Sequence, residues 1–234
     1  MGAFYIYAIV DQPDLDLPIV TGIGDAAISG LRVGAVMAII SQVDRDAIPL
    51  NKTNLLCHER VIEALMRTRA VLPTRFGTTT ERVDRIQSTL ETNSTGYSAN
   101  LDRVRGRVEI ALRVGWTPEP EEPVSRPRAA EGASGRGYML ALLEQTQRTQ
   151  HRRDAAAVLV ATLTAGIVEL ADAIVENILP TPPLLLKAAY LVQRERVPEI
   201  QQRIEKLRAA NPTLAILATG PWPAYSFVEE GLSA

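Results

Sequence analysis

The sequence is short of several features that particular functions require. Of its 234 residues, one is cysteine and two are histidine. A single thiol, Cys57, closes no internal disulfide, whereas secreted scaffolds carry even sets, so a reducing, cytoplasmic compartment is expected. Aromatic residues are few, with three Phe, two Trp and six Tyr, so the 46% hydrophobic share is mainly aliphatic. Neither sign of charge dominates, because 25 Lys and Arg stand against 27 Asp and Glu, a formal net charge of −2. The basic excess from which nucleic-acid binders draw phosphate affinity is missing, and no nucleic-acid partner is expected. Long apolar runs are missing as well. The most membrane-like stretch, residues 155–168, meets Glu169 before reaching the roughly 20 residues that a span needs, so no membrane span is expected. The opening MGAFYIYAIVDQ has no basic region ahead of its apolar stretch and reads as a first strand rather than a signal peptide.

What is present suffices for one or two ordinary cores. Phe4 to Val10 is apolar on both alternating faces, the pattern of a strand covered on both sides and central in its sheet. Asp11 to Arg32 is rich in Pro, Gly and Asp and reads as a loop. Val33 to Ser41 reads as a second strand. From Thr53 the period becomes helical, with Leu55, Cys57, Val61, Ile62, Leu65 and Met66 on the apolar side. Val71 to Phe76 reads as a short strand in which Pro73 disfavours a central position. Two further helices are expected around Val83, Ile86 and Leu90 and around Tyr97, Leu101 and Val104, separated at Asn93, Ser94 and Gly96. Val108, Ile110, Leu112, Val114 and Trp116 then alternate with Arg107, Glu109 and Arg113, as in a strand buried on one face. Residues 1–116 thus form an α+β domain related to the ferredoxin-like fold, an antiparallel sheet backed by helices. Residues 117–135, rich in Pro and Glu, read as a linker. Residues 136–234 form a smaller α+β domain with a long helix from Tyr138 to Leu179. Pro198 opens a second helix, Thr213 to Thr219 is a last strand, and an irregular aromatic tail follows.

No catalytic constellation emerges. His58-Glu59 begins like a zinc-protease HExxH, but position 62 is Ile, so no metal is expected, and Cys57 reads as a small buried residue. No phosphate-binding glycine motif or nucleophile elbow occurs, so neither a cofactor nor enzymatic activity is expected. Arg75, Arg82 and Arg85 surround Gly77 to Thr80. Threonines capping the helix, with the arginines solvated or paired with Glu81 and Asp84, explain them better than an anion site. Glu169, Asp172 and Glu176 read as a solvated helix face. Trp222, Tyr225 and Phe227 concentrate aromatics in a Pro-flanked tail, which is expected to fold back over the second domain or to anchor a partner.

Several segments in order resemble the gas vesicle protein F and L family: YIYAIV (Tyr5 to Val10), the hydrophobic second strand ending at Ser41, NLLCHERVIEALM (Asn54 to Met66), VLPTRFGT (Val71 to Thr78), VEIALRVGW (Val108 to Trp116), AAYLV (Ala188 to Val192) and GPWPAYSFV (Gly220 to Val228). VLPTRFGT and GPWPAYSFV carry most of the specificity. Ala8, Thr74 and Ala224 depart from residues usual in relatives. The compact length favours the F type. The resemblance implies a non-enzymatic accessory or minor structural protein of gas vesicle assembly, associated with the vesicle in the cytoplasm. Its implied partners are the major shell protein A and other accessory proteins. The segments expected to make contact are Arg75, Phe76 and Gly77 together with Trp222, Tyr225 and Phe227. The competing reading is a small-ligand or RNA-binding module on a ferredoxin-like sheet.

Overall fold

The computed structural model describes residues 2–11, 14, 16–44, 48–116, 135–179 and 184–228. The linker expected over residues 117–135 lies almost wholly outside them. The described residues form two sheets and four helices, the α+β class that the periodicity indicates. The chain divides into two compact units, Met1–Glu109 with Pro221–Ala234, and Ile110–Gly220.

In the first unit, β1 (Gly2–Val10) lies inside a sheet of order β2-β3-β1-β4, with β2 at Ile28–Val33, β3 at Val36–Asp44 and β4 at Val71–Pro73. A two-residue strand, β5 (Thr79–Thr80), also pairs with β1, and all of these pairings are antiparallel. Every residue of β1 from Tyr5 to Val10 is buried, as its two apolar faces require. The ladder with β3 shifts between Ile6 and Ala8, where one extra residue bulges. Pro73 ends β4, where its missing N–H costs the ladder least. The stretch read as a loop contains β2, because Ile28–Val33 finds a partner in β3 that local composition does not reveal.

Helix α1 (Lys52–Leu65) is capped by Asn51, whose side chain accepts the Asn54 N–H at 2.8 Å. Its buried face is His58, Val61, Ile62, Ala64 and Leu65; Leu55 and Leu56 are exposed. Val61, Ile62 and Leu65 join Tyr5, Tyr7, Ile39 and Val43 in one core. At roughly 1.5–3 kcal/mol per buried aliphatic or aromatic side chain, that core is the main stabilising term of the unit. The two helices expected beyond it are one, α2 (Val83–Val104). Ile86, Leu90, Tyr97, Leu101 and Val104 make a continuous buried face across Gly96, and their burial outweighs the roughly 1 kcal/mol cost of a mid-helix glycine.

The second unit uses β6 (Arg107–Trp116) from Ile110 onward, α3 (Gly135–Val168), β7 (Ala171–Ile178), β8 (Leu184–Gln193), α4 (Val197–Ala210) and β9 (Leu214–Trp222) as far as Gly220. The sheet order is β7-β8-β6-β9. With its βαββαβ connectivity, this is the ferredoxin-like arrangement. The first unit keeps the same strand order but has no α-helix among the described residues between β1 and β2. The helix expected to continue to Leu179 ends at Val168, and β7 pairs antiparallel with β8. Asp172 and Glu176 therefore stand on a strand, not on a helix face with Glu169. Pro198 lies in the first turn of α4, whose Ile200 and Ile204 are buried. Strand β9 runs three residues further than expected, so Trp222 belongs to a strand rather than to an irregular tail.

Candidate functional site: an aromatic and carboxylate cluster around His58

The fold brings β1, α1, the segment after β4 and the C-terminal tail to one place in the first unit. At its centre is His58, which is fully buried. Its Nε2 lies 3.2 Å from the Thr74 carbonyl oxygen, which can only accept, so Nε2 carries the proton. Nδ1, 2.9 Å from the Tyr5 hydroxyl, is then the acceptor. The Tyr5 oxygen in turn accepts the Gly77 N–H at 3.0 Å. Burial pushes the His58 pKa down to about 4, so the imidazole is neutral at pH 7. The same burial pushes Tyr5 well above the usual phenol range. Tyr7, beside them, accepts the Ile23 N–H at 2.8 Å and lies 2.9 Å from Ser41 Oγ.

Three of the expected contact residues enter this cluster. The Phe76 ring is half-buried and meets Tyr5 and His58 edge-on, with centroids 6.1 and 5.8 Å away. Gly77 adopts φ +88°, a left-handed conformation that glycine takes without Cβ strain, and it aims its N–H at Tyr5. Tyr225 reaches in from the tail. Its hydroxyl donates to Glu59 Oε1 at 2.8 Å, and its oxygen lies 3.4 Å from His58 Nε2. Burial and the adjacent Glu59 charge both push the Tyr225 pKa up, and burial raises that of Glu59. The other Glu59 oxygen, Oε2, is shielded from water with no hydrogen-bond partner.

The remaining tail contacts also fall on the first unit. Glu109, placed by its strand pattern on a polar face, is instead buried. Its two carboxylate oxygens accept the Ser226 N–H at 2.8 Å and the Ser226 hydroxyl at 2.9 Å. Burial raises its pKa, and the two bonds oppose that rise. Arg103 donates to the Phe227 carbonyl, and the Phe227 ring is buried. The expectation that the tail covers the second domain is therefore corrected, because buried carboxylates on the first unit supply its partners. Trp222 takes no part in this cluster and is 39% exposed at the end of β9. Arg75 is exposed and accepts the Thr78 hydroxyl at its carbonyl. Arg82 pairs with Asp84 at the start of α2, as expected of a solvated ion pair. Cys57 is half-buried, with its thiol 3.6 Å from the Thr21 carbonyl.

Chemically the cluster is a network of paired donors and acceptors, apart from Glu59 Oε2, with His58 held as a neutral junction. Among the described residues no group of three or more His, Cys, Asp or Glu is placed to hold a metal ion, and no helix is long and apolar enough to cross a membrane. His58, Glu59 and Glu109 are the members that sequence reasoning did not select. The usable signal was that His58 falls one helical turn from Ile62 on the apolar side of α1.

YIYAIV, NLLCHERVIEALM, VLPTRFGT, VEIALRVGW and GPWPAYSFV, which supply this cluster, are among the segments that carried the resemblance. A family profile described as "Gas vesicle synthesis protein GvpL/GvpF" matches residues 3–229. The chain belongs to this family. Its relatives include gas vesicle protein F of a Streptomyces species, 28% identical with 96% of this chain and 99% of that protein covered. Gas vesicle protein L of the same Streptomyces is also 28% identical, with 95% and 91% covered. The crystal structure of GvpF from Anabaena superposes with a TM-score of 0.75 over 98% of this chain and 97% of that one, at 17% identity, and shares the fold. Family membership places the chain in gas vesicle assembly.

Proposed function

We propose that the chain acts by contact rather than catalysis, holding the major gas vesicle shell protein A as it joins the growing wall. In this reading it is an F-type, cytoplasmic, vesicle-associated protein that also meets other accessory proteins. The observation that carries the proposal is β9. It is an edge of the second sheet, contains no charged residue from Leu214 to Trp222, and leaves Leu217 54% and Trp222 39% exposed. Natural edge strands are usually protected by charge, and an uncharged, aliphatic edge suits strand addition by a hydrophobic partner. Main-chain hydrogen bonds would supply affinity, and Leu217 and Trp222 apolar area.

The six expected contact residues then divide in role. Trp222 stays exposed on β9 for a partner and Arg75 lies at the surface, while Phe76, Gly77, Tyr225 and Phe227 work inward to hold the tail and the segment after β4. Pull-down of shell protein A by chains carrying Trp222→Ala or Leu217→Lys tests this. Both should bind less than the parent at unchanged circular dichroism. Unchanged binding by both folded variants rejects β9 as the contact. Fractionation of purified vesicles tests the association independently.

A further inference from the structure

The tail is held by the first unit in the way that a receptor holds a peptide. Glu109 spends both carboxylate oxygens on one residue, Ser226, taking its main-chain N–H and its hydroxyl. Arg103 takes the carbonyl of the next residue, Phe227. The main chain is thus gripped through a donor and an acceptor, while Tyr225 and Phe227 supply the side-chain selectivity, one through Glu59 and the other by burial of its ring. This division between main-chain affinity and side-chain specificity characterises peptide-recognition sites.

We infer that Glu109, Arg103, Glu59 and the pocket filled by Phe227 form a peptide clamp that holds Tyr225–Phe227 of its own chain and accepts the same three residues from a second copy. Two observations support exchange. First, Glu109, 6% exposed with the tail in place, takes both of its hydrogen bonds from Ser226, so a vacated clamp loses both donors, and the clamp favours being filled by one tail or another. Second, only Pro223 and Ala224 separate the end of β9 from Tyr225, so the inserted element is short and self-contained. An element exchanged between identical copies makes identical contacts in either position. The choice between the two is then a matter of concentration. A short tether gives the chain's own tail an effective concentration of order mM, so a dilute chain closes on itself and a crowded one exchanges. Reciprocal exchange closes a symmetric dimer.

The test uses the full chain and a fluorescent peptide spanning Gly220 to Val228. The Ser226→Ala, Phe227→Ala double variant loosens its own tail and leaves the clamp intact. It should bind the peptide about tenfold or more tightly than the parent, whose own tail competes. Adding Glu109→Ala to that variant should abolish binding. In sedimentation the parent should be monomeric when dilute and dimeric near mM, and excess peptide should return it to monomer. The inference is overturned if the folded double variant does not take up the peptide, if Glu109→Ala leaves binding unchanged, or if the parent stays monomeric throughout. Should the double variant not fold, Ser226→Ala alone decides on the same outcomes with smaller contrast.

Discussion

Replacing Tyr225 by Phe removes one oxygen atom and isolates the bond that ties the tail to α1. The hydroxyl donates to Glu59 at 2.8 Å, and the other Glu59 oxygen already has no hydrogen-bond partner. A hydrogen bond to a charged acceptor contributes about 1.5–3 kcal/mol when buried. Glu59 is half-buried, so water recovers part of the loss, and a destabilisation of about 1–2 kcal/mol is expected at pH 7. The bond favours the ionised carboxylate, so its contribution must fade as Glu59 is protonated. Because burial raises the Glu59 pKa, the fading begins above the ordinary carboxylate range. Urea denaturation of the parent, Tyr225→Phe, Glu59→Gln and the double variant, at pH 7 and in mild acid, gives the coupling directly. A coupling of about 1 kcal/mol that shrinks on acidification supports the account. A Tyr225→Phe loss below about 0.3 kcal/mol, or one equally large in the Glu59→Gln background, refutes it.

Phe227→Ala should cost about 3–5 kcal/mol by emptying a buried site, and hydrogen exchange should show residues 224–228 losing protection first. His58 should stay neutral in NMR titration down to about pH 4, below the ordinary 6.5. A depressed folded pKa gives stability that is complete above pH 6.5 and lost as pH falls through about 4, of order 3 kcal/mol. That slope should be absent from His58→Asn, and an equal slope in the variant would assign it elsewhere. Glu109 has the opposite sign: its raised pKa makes its contribution largest in acid and smaller as pH rises through the folded value, and Glu109→Gln should remove that trend. Gly77→Ala, at φ +88°, should destabilise by about 1 kcal/mol or more, read as a lower denaturation midpoint.

The elements that sequence reading located correctly are those whose burial is decided locally. β1 is apolar on both faces and is buried on both, and α4 starts where Pro198 permits. The errors arise where local composition hides a pairing or a boundary. β2 looked like a loop until β3 supplied its ladder, and Gly96 looked like a break until the face from Ile86 to Val104 was seen to be continuous. β7 follows α3 with only two residues between them and neither Gly nor Pro at the junction, so the apolar character ran on without a boundary. The site was half legible. Tyr225 and Phe76 stood out as aromatics beside proline and glycine. Glu109, alternating with apolar neighbours, had no local mark to separate it from Arg113, which is exposed. Its role depends on Ser226, 117 positions later.

That separation governs the order in which the protein is made. Synthesis at about 5–20 residues per second means that roughly 6–23 seconds pass between the emergence of Glu109 and that of Ser226. Throughout that interval Glu109 lacks both of its Ser226 donors, and the place of the Phe227 ring is unfilled. The second unit waits too, because its edge strand β9 emerges only shortly before Ser226. The first domain to be translated is therefore the last to be completed.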